Sequence, residues 1–145
     1  MKSVTCQKTI NASIEDVFAF ATDLENAPAN IPSVESLEIL TEGETGVGTR
    51  FTQKRTILGT SLNQEMTVVE FEPPVSYGAE ASAHGCKVIA RMKLSEAGET
   101  TEVDAEVVVE PEGFAGKLAA PMILKGAQIA MLEDLETVKN ALESP

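Results

Sequence analysis

Glu102, Asp104 and Glu106 alternate with Val103, Ala105, Val107 and Val109, and this period of two constrains the chain more than any other feature. A segment patterned this way has one charged and one apolar face, so it belongs to a sheet that is solvated on one side only. The segment before it has the same period with the opposite charge: Lys87, Arg91 and Lys93 stand against Val88, Ala90, Met92 and Leu94. The cationic face of one strand can therefore lie beside the acidic face of the next, in pairs worth about 0.2–1 kcal/mol each that help set register.

The same period runs back to Val34. Candidate strands at 34–41, 49–57, 62–72, 75–83, 86–95 and 100–110 are separated by Gly43, Gly46 and Gly48, by Gly59, by Pro73-Pro74, by Gly85 and by Gly98. Short spacings with turn residues between them predict hairpins, hence an antiparallel sheet. Within 62–72 the order Leu62, Gln64, Met66 gives way to Val69, Phe71, which predicts a bulge at Val68-Val69. A further strand covers 4–10. Ser13, followed three residues later by Asp16, then opens a helix with Ile14, Val17, Phe18 and Ala21 on one face. Pro28 and Pro32 restrict 23–33 to a short second helix or a turn-rich corner.

After Pro111 and Gly113 the period becomes helical, with Leu118, Met122, Gly126, Ile129, Leu132, Leu135 and Leu142 near one stripe. Pro121 predicts that the first turn is separate or that the long helix begins there. The expected product is α+β: a single domain over 1–145, with seven strands wrapped around a long C-terminal helix and two short helices between strands 1 and 2. Such a wrap encloses a space.

Composition bears on what fills that space. Five Phe, one Tyr and no Trp leave few large side chains for a core, whereas a close-packed interior requires filler. Eleven Lys+Arg against 23 Asp+Glu give a formal charge of -12. No basic stripe exists to meet phosphates, so no nucleic-acid partner is expected. The first residues carry no apolar run of the secretory kind, and no stretch has the length of a membrane span. Cys6 and Cys86 stand in no metal or redox spacing, which predicts reduced thiols in a cytoplasmic protein.

Several segments resemble a known family. Ile10-Asn11-Ala12-Ser13, then Val17-Phe18-Ala19-Phe20 and Asp23-Leu24-Glu25-Asn26-Ala27-Pro28, are similar to the opening of the polyketide cyclase/dehydrase and lipid-transport family, in the START/Bet v 1-like helix-grip superfamily (SRPBCC). Gly46-Val47-Gly48-Thr49-Arg50-Phe51, Val69-Glu70-Phe71-Glu72-Pro73-Pro74 and Leu118-Ala119-Ala120-Pro121 ahead of Asp134-Leu135 resemble later landmarks in the same order. The resemblance implies a cavity between a curved antiparallel sheet and the C-terminal helix, used for apolar or polycyclic small molecules. It implies no particular reaction, because members include carriers, receptors and cyclases. Asn30 stands where many relatives have Trp, so the cavity opening or its underlying packing is expected to differ.

Candidate site residues follow from parity. Gln53 and Arg55 share a face with Phe51, and Gln64 shares one with Met66. Tyr77 shares a face with Ala79; its phenol reads equally as a group that fixes a ligand oxygen or as a rim residue bonded to water. Val88, Ala90 and Met92, with Val103, Ala105 and Val107, supply small or adaptable walls, and Leu118, Met122 and Ile129 supply the helix side. Arg55 and Tyr77 are the weak candidates for carbonyl polarisation or proton transfer.

Other motifs point elsewhere. Gly46-Val47-Gly48 precedes a strand rather than a helix, so it is a hairpin turn and not a phosphate loop. His84 is the sole histidine, and Gly85 between it and Cys86 spoils a strand-like pairing of the two, so no metal site is expected. Glu102, Asp104 and Glu106 read as a solvated face rather than general acids, and Glu70 and Glu72 as strand-end surface.

The expected function is binding or transport of a small hydrophobic molecule, with no cofactor, no stable membrane association and a monomeric or homodimeric state. Alternatives are a polyketide aromatase/cyclase or dehydratase using the same cavity, and a co-chaperone-like interaction module.

Overall fold

The computed structural model describes residues 2–57 and 59–143. β1 (Lys2–Ile10) leads into α1 (Ile14–Ala21) and α2 (Ala27–Asn30), and then come β2 (Val34–Ile39), β3 (Arg50–Ile57), β4 (Thr60–Glu72), β5 (Ser76–Ala83), β6 (Cys86–Ala97), β7 (Thr100–Pro111) and α3 (Gly113–Glu143). The strands form one antiparallel sheet in the order β1-β7-β6-β5-β4-β3-β2. Five successive hairpins build it from β2 to β7, and β1 closes on β7, as the alternating pattern and the glycine turns require. The helix-grip arrangement is the one expected, with the curved sheet holding α3.

α1 begins where the sequence marks it: the Ser13 hydroxyl accepts a hydrogen bond from the Asp16 amide at 3.2 Å. Ile14, Val17 and Phe18 are buried and pack with Leu94, Val103, Leu135 and Val138, so α1 closes one end of the space under the sheet. On the outer face Arg91 lies opposite Glu106, and Lys93 opposite Asp104. Arg91 also approaches Glu70, at 3.6 Å. These half-exposed pairs align strands rather than add much stability.

β4 slips in register against β5 between Val68 and Glu70. The extra residue is Val69, so the pair flagged by the sequence is a bulge. Val68 points inward before it, and Phe71 after it, opposite Tyr77. If Val69 were instead paired in regular register, Phe71 would lie on the outer face.

α3 departs from expectation twice. It runs unbroken from Gly113 and contains Pro121, so the first turn is not separate and the helix does not begin at the proline. In its N-terminal half the buried side is also not the stripe of large apolar residues, although Leu135 further along is buried. Gly116 and Ala120 are buried, whereas Phe114, Leu118 and Met122 are 77%, 69% and 79% exposed. The cause is a backbone-on-backbone contact: a Cβ at Gly116 would overlap the Gly85 carbonyl oxygen. Only the smallest residues permit that approach, so the helix turns its Gly/Ala side to the sheet. The Cys86 thiol, buried beneath, donates to the Gly116 carbonyl at 3.2 Å. At the other end Lys139 donates to the Thr9 carbonyl at 2.9 Å, and the Asn11 amide donates to Glu143 at 2.7 Å. The Lys139 ammonium and then the Asn11 amide hold the Glu143 carboxyl below the usual range.

Candidate functional site: a cavity between sheet and helix

Inward positions of the central strands carry small residues in register. Ala79 of β5 lies opposite Ala90 of β6, which lies opposite Val107 of β7. The helix adds Gly126, Ala127 and Ala130 to the same wall. Small residues on both sides leave a cavity of about 750 Å3, within the range of small-molecule sites. Ala90 shows its effect: it shares its face with buried Leu94 yet is exposed, because what it faces is open space.

Phe51, Gln53, Arg55, Gln64, Met66, Tyr77 and Ala79 all line this cavity, as do Val88, Ala90, Met92, Val103, Ala105, Val107 and Met122. Leu118 and Ile129 do not. Of the expected stripe Met122, Gly126 and Leu135 line the cavity, and Ile123, Ala127, Met131 and Val138 take the remaining helix positions. Asn30 ends α2 and does not line the cavity, while Ala27 and Ile31 beside it do.

The largest omission from the sequence reading is Asp134. Arg55 is buried and donates from both terminal nitrogens to the two oxygens of Asp134, at 3.0 Å each, and from Nη1 to Ser33 Oγ at 3.2 Å. A paired fork of this kind is the strong geometry for arginine and carboxylate. Arg55 faces the cavity as its parity predicts, but its guanidinium is engaged, so it is a strut between β3 and α3. The clue lay in Arg55 itself, since an inward arginine requires an inward carboxylate.

Gln53 and Gln64 lie directly opposite one another across β3 and β4. Neither side-chain amide has a hydrogen-bond partner among the described residues, and the same holds for the Tyr77 hydroxyl. The Tyr77 ring is fixed edge-on to Phe71, with centroids 6.2 Å apart, and Phe71 in turn meets Phe18 at 5.5 Å. The phenol is a donor at neutral pH, and burial, which pushes its pKa up to about 12, keeps it one into the alkaline range.

His84 occupies the β5–β6 turn with a φ of 48° and is exposed, whereas the Cys86 side chain is buried against α3. The two do not converge. Cys6 and Cys86 are both free thiols. Among the described residues no helix is long and apolar enough to cross a membrane.

A seven-stranded antiparallel sheet closed around a long C-terminal helix over an apolar cavity defines a START/Bet v 1-like, helix-grip protein of the SRPBCC class. Within that class the chain belongs to the polyketide cyclase/dehydrase and lipid-transport family, whose model matches residues 1–143. Similar solved structures include a START superfamily protein from Mycobacterium smegmatis, at 19% identity and a TM-score of 0.79 with 97% of each chain covered. The major latex-like protein 151 of Panax ginseng gives 16% identity and 0.79, over 99% of this chain and 98% of that one. The di-domain ARO/CYC StfQ from the steffimycin biosynthetic pathway gives 14% and 0.80, over 97% of this chain and 50% of that one. At such identities the likeness shows the fold alone. Among curated proteins none matches this sequence.

Proposed function

We propose that the chain binds or carries a small hydrophobic molecule, of lipid, polyketide or other polycyclic type, in the cavity between sheet and α3. The observation that carries this reading is the inward row Ala79, Ala90 and Val107, which faces Gly126, Ala127 and Ala130 across about 750 Å3. A chain that required a solid core would place larger residues there. Burying about 300 Å2 of apolar ligand surface contributes roughly 7 kcal/mol before association costs, so the wall supplies affinity and the few polar groups supply orientation. The two free thiols fit a reducing, cytoplasmic setting, and a single cavity of this kind functions in a monomer or a homodimer.

The test is thermal stabilisation across a panel of lipids, aromatic polyketides and quinones, repeated on Ala90→Phe, which fills the cavity. Saturating ligand is expected to raise Tm for the native chain and not for the variant. A panel in which no compound moves Tm would sink the reading.

One observation favours a second reading, a cyclase or dehydratase. Tyr77 presents a neutral, unpartnered phenol to the cavity, suited to polarising a ligand carbonyl. Turnover of a polyketone that Tyr77→Phe abolishes, with folding and ligand binding retained, would establish it. Ligand binding without turnover leaves the carrier.

A further inference from the structure

The cavity is lined by side chains of both signs. Arg55 and Asp134 neutralise each other through two hydrogen bonds, with Ser33 adding a third contact to the guanidinium. Of the other charged residues along the lining, Asp23 accepts from the Asn26 side chain at 2.9 Å at the α1–α2 corner. Arg91 and Glu106 pair at 3.8 Å on the outer face, and His84 stands exposed at the β5–β6 turn. Among the described lining residues, Asp23 at that corner is thus the one carboxylate without a cationic partner, and no arginine of the lining lacks a carboxylate. The uncharged polar side chains of the lining that lack a protein partner and are not exposed are two carboxamides and one phenol, on Gln53, Gln64 and Tyr77.

Resting on the ligand-binding reading above, we propose that this cavity selects neutral polycyclic ligands bearing carbonyl or hydroxyl oxygens and rejects carboxylates and ammonium ions of the same skeleton. A ligand carboxylate would have to displace Asp134 from Arg55, stranding one anion for another, or enter unpaired; both outcomes remove a charge from water without compensation. An ammonium finds Asp134 already taken, and the remaining carboxylate, Asp23, is held by Asn26 at the α1–α2 corner. A carbonyl or hydroxyl instead meets donors and acceptors that lack protein partners, since each carboxamide offers two N–H groups and one oxygen, and the phenol one O–H. Arg55 and Asp134 thus act on specificity by excluding charge, and Gln53, Gln64 and Tyr77 by accepting polar oxygen.

Three fluorescent probes on one skeleton test this: 2-acetylanthracene, anthracene-2-carboxylate and 2-(aminomethyl)anthracene, titrated at pH 7. The ketone is expected to bind at least tenfold more tightly than either ion. Between pH 7 and pH 5 the apparent affinity of the carboxylate probe is expected to rise about tenfold per unit fall in pH, because only its neutral fraction, which grows as pH falls, binds, while that of the ketone stays level. Asp134→Asn, which frees the guanidinium, is expected to raise carboxylate affinity at least tenfold; the pH comparison needs no variant and stands if that variant does not fold. Carboxylate binding that equals the ketone's and ignores pH overturns the charge selectivity and leaves the ligand-binding reading intact. No binding by any of the three overturns that reading for polycyclic molecules, and the selectivity with it.

Discussion

Arg55 on β3 and Asp134 on α3, 79 positions apart in sequence, meet in two parallel hydrogen bonds of 3.0 Å each. The pair ties the sheet to the long helix beside a cavity that otherwise separates them. Removing Asp134 leaves Arg55 buried without a counter-charge, and breaking a buried pair from one side costs about 3–5 kcal/mol. With the Asp134 side chain 29% exposed, Asp134→Ala is expected near the lower end, about 3 kcal/mol. Replacing both partners with Met and Leu should restore much of that loss. Urea midpoints of the single and double variants measure it, and a single variant as stable as the native chain would remove the strut.

The chain has one tyrosine, so its titration is unambiguous. Tyr77 is pushed up to about 12 by burial, against an ordinary value near 10. Between those values the folded chain holds a proton that the unfolded chain has released. Stability is therefore fully present below about pH 10 and falls as pH rises to about 12, by roughly 2–3 kcal/mol in all. Absorbance at the phenolate band should show a midpoint near 12 in the folded protein, and Tyr77→Phe should flatten the alkaline fall in stability. A midpoint at the ordinary value would mean that the phenol is in contact with bulk water.

Two glycines of α3 should answer oppositely to the same change. A Cβ at Gly116 has no room beside the Gly85 carbonyl, whereas one at Gly126 would sit 3.8 Å from Ile57 Cγ2, an ordinary contact. Gly116→Ala is expected to destabilise by about 3 kcal/mol, through strain that the backbone cannot relieve. Gly126→Ala should stabilise by up to about 1 kcal/mol through helix propensity. Thermal midpoints of the two variants decide the matter, and destabilisation by both would mean that α3 tolerates no added methyl on its sheet side.

The sheet was legible because side-chain parity is a local property: Phe51, Gln53, Arg55, Gln64 and Tyr77 occupy inward positions that their own strands specify. The helix was less so. Leu118 and Ile129 are placed by size and apolarity, but α3 is oriented by Gly85 meeting Gly116, a contact between residues far apart in sequence that reads as nothing in a hydrophobic pattern. Asp134 fails for a related reason. On its own helix it looks like one more solvated carboxylate, and only the arginine brought opposite it by the fold gives it an inward role. Pro121 misleads because the loss of one hydrogen bond is tolerated inside a helix held by packing on either side.

The bulge at Val69 means that the inner surface of β4 is written in two frames. Before it the even-numbered residues Gln64, Met66 and Val68 face inward; after it the odd-numbered Phe71 does. Deleting Val69 would leave an unbroken ladder in which Val68 and Phe71 still face inward, whereas pairing Val69 in regular register would bring Glu70 and Glu72 round to the interior. A slip of one position in pairing, with no change of sequence, would here carry two carboxylates into the cavity wall. In such a strand, register is as much a part of the chemistry as composition.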